Sequence, residues 1–336
     1  LSFQGDLGGV PYSGNVGVRH VDTDVEIVGT IIEVIDIDET DPLKPEPING
    51  APSQANLSHN YSEVLPSLNL TFDLRDDLLL RAAAGKVMSR ASFQDVNPNS
   101  RFAAALQEFR GGNPYLNPIV AWQYDLALEW YFAEYSILSL GLFHKDVEDF
   151  IQAQRGMRVI DGVKDSAGES AQFAEYIPQN SDEAQITGFE VSYQQTFAQL
   201  PAPFDGLGVV ANYTYIDSDS DFEHQSTGAT FGVPGLSVFY EKESWTARLA
   251  YNHRGEFLDT VNGYAGGHPL FVDDYSQLDA SVGYRFSDNV SVGLEAINIT
   301  DETSDTYVLL GTGPIKWFDG SVHTGPRYQL NVRMKF

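Results

Sequence analysis

The stretch VAWQYDLALEWYF, residues 120–132, sorts into two chemically opposite rows when read at every second position. Val120, Trp122, Tyr124, Leu126, Leu128, Trp130 and Phe132 are apolar or aromatic, and Gln123, Asp125, Ala127 and Glu129 fall between them. Successive side chains of an extended backbone point to opposite faces, so this period of two predicts a strand with one face in apolar surroundings. VLPSLNLTFDL (64–74) and LLLRAAAGKVM (78–88) repeat the pattern on either side of the short turn Arg75–Asp77. RYQLNVRMKF (327–336) does so again: Tyr328, Leu330, Val332, Met334 and Phe336 share one face, and Arg327, Gln329, Asn331, Arg333 and Lys335 the other.

Extended along the chain, the same reading predicts twelve strands, near 14–27, 60–74, 77–88, 119–132, 136–154, 183–197, 207–217, 236–241, 245–254, 274–286, 289–298 and 326–336. No amphipathic helix stands out. Short turns fall at Arg75–Asp77, Ala133–Tyr135, Ala198–Gly206, Lys242–Ser244 and Ser287–Asn289. Long polar segments fall at 28–59, 89–118, 155–182, 218–235, 255–273 and 299–325. Strict alternation of tight turns with long loops is the organisation of an antiparallel transmembrane β-barrel. Phe72, Trp130, Phe132, Phe197, Tyr240, Trp245, Phe286 and Phe336 lie within a few residues of a short turn or the C-terminus, as an aromatic girdle at a membrane interface would. The 236–241 strand is expected either to be truncated or to be fed by the loop before it, since about six residues do not cross a hydrocarbon layer of roughly 30 Å.

Composition narrows the function classes. The mean hydropathy of -0.23 and the absence of any long apolar run exclude membrane-spanning helices. They do not exclude a barrel, whose strands have only one apolar face. A net charge of -27 argues against nucleic acid, which needs a basic surface. There is no Cys, hence no disulfide frame and no thiolate metal site. His20, His59, His144, His224, His253, His268 and His323 form no pair at metal-binding spacing, so no metal is expected. No Gly-x-Ser-x-Gly elbow is present and no Ser/His pairing stands out, so neither an enzyme nor a cofactor is expected. The acidic runs DIDETD (36–41) and DSDSDFE (217–223) read as solvated loops. Their carboxylates are suited to oxygen-ligated cations, including ions bridging to lipopolysaccharide, but the second run lacks the Gly and the distal Glu spacing of a calcium loop. LSFQGDLGG at the start lacks the basic and apolar regions of a signal peptide.

Several stretches resemble one family. YSEVLPSLNLTFDLRDDLLLRAAAGKVMSRASFQDVNP (61–98) is similar to the C-terminal barrel half of TonB-dependent outer-membrane receptors. GGNPYLNP (111–118) resembles their external-loop motif, EAINITDE (295–302) the segment after their penultimate strand, and RYQLNVRMKF their closing strand. SGNVGVRHVDTD (13–24) matches too, so the likeness runs the length of the chain in family order. It implies localisation in the bacterial outer membrane, and active import of a scarce small-molecule ligand. The energy would come from the TonB-ExbB-ExbD complex. It also implies that Phe336 belongs to the signal read by the barrel-insertion machinery.

Such receptors carry a plug inside a barrel of about twenty-two strands. Neither a plug nor a TonB box is found here, so residues 1–336 are expected to be the C-terminal portion of that barrel. Residues 1–10 would be the tail of the preceding strand. Carbohydrate-uptake receptors are the favoured subtype, hence an oligosaccharide ligand. A siderophore or cobalamin receptor, a free-standing passive pore and a soluble β-sandwich are the competing readings.

Ligand contacts are expected from the external loops. In 89–118 these are Phe109, Arg110, Asn113 and Tyr115, with Phe102 nearby. In 299–325 they are Tyr307, Trp317, Asp319 and His323, with Phe318. Aromatic faces stack on sugar C–H groups while carboxylates and amides pair with hydroxyls. Alternation places Arg81, Asp125, Glu129, Glu190, Arg248, Glu295 and Arg333 toward the lumen, opposite the apolar rows.

Overall fold

The computed structural model describes residues 1–38, 40, 45–104, 106–164, 168–220, 229–264, 268–310 and 315–335. β-Branched and aromatic residues on alternating positions favour extended chain, and the described residues are built almost entirely of strands. In the first half these are β1 (Ser2–Leu7), β2 (Val10–Ile31), β3 (Val34–Asp38), β4 (Glu46–Asn49), β5 (Ser53–Arg75), β6 (Leu78–Ser89), β7 (Arg101–Ala103), β8 (Glu108–Arg110), β9 (Ile119–Ala133) and β10 (Ser136–Lys164). Then follow β11 (Ser170–Thr196), β12 (Leu207–Ser220), β13 (Ala229–Lys242), β14 (Trp245–Arg254), β15 (Phe257–Tyr264) and β16 (His268–Val272). The last are β17 (Tyr275–Ser287), β18 (Val290–Ile297), β19 (Thr303–Leu309), β20 (Lys316–His323) and β21 (Arg327–Met334). A single 3-10 turn, Phe204–Gly206, is the one helical element among the described residues.

The main sheet is an antiparallel wall that runs β1-β2-β5-β6-β9-β10-β11-β12-β13-β14-β17-β18-β21. Its register lines up the apolar rows of neighbouring strands. Leu128 sits opposite Leu80 on one side and Leu140 on the other; Leu126 sits opposite Ala82 and Leu142. The row continues through Leu236, Leu249, Val282, Leu294 and Leu330, all of which are exposed. A water-soluble surface does not leave so long a contiguous apolar face open. In lipid the same face is favourably placed, and the strands satisfy one another's backbone groups.

Aromatic rings edge this face near the tight turns, where Trp130 packs on Phe132 (ring centroids 5.3 Å), and Trp245 and Phe286 on Tyr284 (4.6 and 4.7 Å). A second tier, Trp122, Tyr124 and His144, stacks further along the strands. No helix among the described residues is long and apolar enough to cross a membrane.

Three expectations are corrected or decided. The described residues form twenty-one strands rather than twelve. The expected spans overlap the wall strands from β2 onward, β1 takes up part of residues 1–10, and the additional strands lie in segments read as loops. Beyond the apolar band both faces of a strand meet polar surroundings, so alternation fades while the hydrogen-bond ladder persists. The β10–β11 hairpin shows this, continuing in register from Phe150 opposite Ser181 to Ile160 opposite Ala171. Next, of the two readings of 236–241 it is the loop that feeds the strand: β13 has fourteen residues and pairs with β12 from Ala229 to Tyr240. Lastly, the described wall is not a closed barrel, because β1 and β21 end the sheet without pairing to each other.

Two smaller sheets stand on the loop side: β15-β16-β19-β20, and β3 with β4. The buried apolar cluster also lies here, in the loops, and gathers Val34, Ile37, Phe102, Phe109, Ile160 and Val163.

Candidate ligand-binding surface

The loop residues expected to meet ligand fall into two assemblies. In the first, β8 adds in parallel to β11, with Phe109 beside Glu175 and Arg110 beside Tyr176. Phe109 is 0% exposed and packs against Phe102 (5.1 Å between centroids) and Phe173 (5.9 Å). It is a packing residue, and a ligand has no access to its ring. The Arg110 guanidinium is bound to Glu108 at 2.7 Å and lies over the Tyr176 ring.

Asn113 is also occupied locally: its Oδ1 accepts the Tyr115 N–H at 3.0 Å, and its own N–H reaches Asp95 O. Glycine is required just before it. A Cβ on Gly112 would stand 2.5 Å from the carbonyl oxygens of Asp95 and Asn97. Asn117 and Asn180 exchange hydrogen bonds (2.9 and 3.1 Å), so GGNPYLNP acts as a staple between this loop and β11. Tyr115 alone of the four is open, at 55% exposure, edge-on to His59.

Sequence reading missed the residue that joins this assembly. Arg158 on β10 sits 4.5 Å above the Phe109 ring. It donates to Ser100 Oγ (2.6 Å), Glu175 Oε1 (3.2 Å) and Val34 O (3.5 Å). One guanidinium thereby ties three loop segments, and nothing in its sequence context, QRGMRVIDG, marks it out.

The second assembly is the β15-β16-β19-β20 sheet. Tyr307 is 5% exposed and stacks on Phe271 (5.3 Å, 7° between planes). Lys316 Nζ lies 4.2 Å from the Tyr307 ring centre and bridges the carboxylates of Glu256 and Asp273. Burial and then the Glu256 carboxylate push the Tyr307 hydroxyl well above its ordinary range. For Lys316, burial acts to lower the pKa but hydrogen bonds from Glu256 and Asp273 outweigh it and raise it. For Asp273, burial acts to raise it but Lys316 and the Asp274 N–H outweigh that and hold it below the usual carboxylate range.

Asp319 accepts from Thr306 Oγ1 at 3.0 Å, and His323 Nε2 meets Asp301 Oδ1 at 2.7 Å. Trp317 and Phe318, consecutive on β20 and therefore on opposite faces, are 58% and 71% exposed. The EAINITDE stretch is again a staple. Asn298, buried and left-handed (φ 56°), bonds through its side chain to the Glu302 N–H and C=O.

On the wall, register places Arg81, Asp125, Glu129, Glu190, Arg248, Glu295 and Arg333 on one face, opposite the apolar row. Arg81 bonds Glu129 at 2.8 Å and Thr71 at 3.2 Å; Arg248 bonds Ser237 at 2.8 Å; Glu295 accepts from Asn331 at 3.1 Å. Among the described residues no group of three or more His, Asp or Glu converges to hold a metal ion. Phe336, with Glu39 and Asp41 of the first acidic run and residues 221–223 of the second, lies outside the described residues.

An apolar outer face, a polar opposite face, tight turns at one rim and long structured loops at the other define the wall of a transmembrane barrel. Residues 2–299 match the family described as TonB dependent receptor-like, beta-barrel, and the chain belongs to that family. No curated protein sequence matches the chain.

Solved structures give the same fold. The ferric-catecholate import receptor Fiu from E. coli K12, in its closed form, aligns over 97% of this chain and 42% of its own, at 14% identity and TM-score 0.62. A mutant of the ferric enterobactin receptor PfeA from Pseudomonas aeruginosa aligns over 85% and 40%, at 19% identity and TM-score 0.53. The siderophore receptor PirA from Acinetobacter baumannii aligns over 89% and 49%, at 18% identity and TM-score 0.52. The chain spans less than half the length of each of these proteins. At such identities the likeness concerns the fold. It does not support the carbohydrate subtype favoured from the sequence, since these neighbours are siderophore receptors by name.

Proposed function

We propose that residues 1–336 are the C-terminal barrel portion of an outer-membrane receptor. The intact protein would import a scarce nutrient with energy delivered by the TonB-ExbB-ExbD complex through a part of the protein outside these residues. The observation that carries this reading is the register of the wall, which sets a continuous apolar row against a polar face from β2 to β21. The polar face would line the lumen and meet a plug. The outer face would meet lipid and lipopolysaccharide, and Phe336 would serve the insertion machinery.

For the ligand, the loop chemistry favours an uncharged oligosaccharide. Arg110, Arg158 and Lys316, three of the cations at the two assemblies, are each already paired with a carboxylate. An anionic chelate binding at these three would have to displace their partners, at a cost largest for Arg158 and Glu175, the least exposed pair. Tyr115, Trp317 and Phe318 instead offer exposed rings beside amide and carboxylate groups, which suits stacking on sugar faces. The siderophore reading remains the competitor because of the names of the structural neighbours.

The two are separated by titrating the intact receptor in detergent with neutral malto-, xylo- and chito-oligosaccharides and with a ferric catecholate, following tryptophan fluorescence. Saturable quenching by an oligosaccharide that is lost in Trp317→Ala supports the proposal. Saturation by the ferric catecholate alone overturns the ligand assignment. Energy-independent uptake in cells overturns the active-transport reading.

A further inference from the structure

The outer sheet repeats the order of the wall beneath it. Each of its strands continues a wall strand after a short break: β14 runs into β15 across 255–256, β16 into β17 across 273–274, β18 into β19 across 298–302, and β20 into β21 across 324–326. The wall order β14-β17-β18-β21 is matched above by β15-β16-β19-β20. The loops here are therefore a second storey of the same sheet, and β20 stands at the same margin as β21.

That margin is open at both levels. Among the described residues β21 pairs only with β18, and β20 only with β19. An edge strand presents a row of unpaired N–H and C=O groups, and proteins that leave such an edge in water guard it with charge or proline. Here the guard is thin: Asp319, the one acidic residue of β20, is tied to Thr306 on β19. Ile315, Trp317, Phe318 and Val322 are each more than half exposed, and the one lysine, Lys316, is turned away to Glu256 and Asp273.

We infer that the free edge of β20 is a strand-docking site. Its occupant is the outward extension of the strand that pairs with β21 in the complete protein, a segment outside residues 1–336. This rests on the barrel reading above and goes beyond it, since a barrel closes at β21 whether or not its neighbour climbs to β20. The fit is one of continuity. A strand laid antiparallel to β21 leaves the membrane at Arg327 and arrives beside His323, with eight residues of β20 available for pairing. Its backbone would complete the edge and its side chains would cover Phe318 on one face, or Trp317 and Val322, brought together by the bulge at Asp319, on the other.

Residue-resolved amide hydrogen exchange on the full-length receptor in detergent tests this. An edge strand protects only alternate amides, those facing its single neighbour, whereas a strand paired on both sides protects all of them. The expected result is protection at every residue from 316 to 323, matching that of 327–334, with Val322→Lys lowering it at least tenfold on β20 alone. Alternate unprotected amides on β20 beside a fully protected β21 overturn this inference and leave the barrel standing. Unprotected alternate amides on β21 as well overturn the barrel reading itself. Protection of β20 that rises with protein concentration assigns the edge to a second copy and overturns the proposed occupant.

Discussion

The two loop assemblies are made of similar residues and do opposite things with them. In the β7–β8 assembly the aromatics turn inward: Phe102, Phe109 and Phe173 form a buried knot under Arg158. In the β19–β20 assembly one aromatic pair, Tyr307 on Phe271, anchors the sheet, while Trp317 and Phe318 stay out. The difference follows from support. The first assembly borrows neighbours from three segments of chain and can enclose its rings. In the second, Tyr307 and Val308 on the inner strand β19 are buried on both faces, while Trp317 and Phe318 stand on the edge strand β20 with a neighbour on one side only. A ring in a loop is thus a ligand candidate only after its neighbours are known.

Removing the centre of the knot should have the largest effect. Phe109→Ala is expected to destabilise the first assembly by about 3–5 kcal/mol, seen as faster amide exchange across 100–110 and 158–175 with the wall unchanged; an equal loss across 303–323 would break the distinction between the assemblies. On the wall, Leu128→Arg should cost about 2–4 kcal/mol in a bilayer, read from urea unfolding in vesicles, while Ala127→Arg, on the opposite face, should cost far less. Equal costs would contradict the assignment of the two faces.

Arg158→Ala should cost about 1–3 kcal/mol through its charged hydrogen bonds, again confined to the first assembly. Arg158→Lys should recover only part of this, since it loses the fork that reaches Ser100, Glu175 and Val34 together.

The second assembly should respond to pH instead. Asp273 has a lowered pKa, so its contribution is present above the ordinary carboxylate value of about 4 and is lost as pH falls through the lowered one. Tyr307 and Lys316 have raised values, so theirs is complete below about pH 10 and lost on further rise. Amide protection across 303–323 should therefore fall at both extremes, and Asp273→Asn should flatten the acid limb. The smallest stability effect is expected for Trp317→Ala, within about 0.5 kcal/mol in thermal unfolding because the ring is exposed. The same change should weaken ligand binding roughly tenfold, equivalent to about 1.4 kcal/mol.

Much of the wall was legible because a face that meets lipid obeys a strict rule: every second residue from 122 to 132 is apolar or aromatic, since a polar residue there is costly. The period of two alone puts Leu80, Leu126, Leu128 and Leu140 on one face. The loops obey no such rule. QAQRGMRVIDGVK carries no period of two, yet it is strand up to Lys164, held by a ladder to β11 that side-chain chemistry does not announce. The same blindness affected the site. GGNPYLNP and EAINITDE were conspicuous as motifs, but Gly112, Asn113 and Asn298 shape backbone turns. Arg158, which joins three segments, was inconspicuous.

The sequence by itself determined the class of protein, the direction in which each wall strand faces and the separation of tight turns from long loops, because the period of two is a local consequence of backbone geometry meeting lipid. Only the tertiary structure decided which loop aromatics are buried and which are open, that four loop strands repeat the wall's order, and that β20 shares the open margin of β21. Those depend on contacts between residues tens to more than a hundred positions apart, such as Arg158 with Val34, and no local pattern records them.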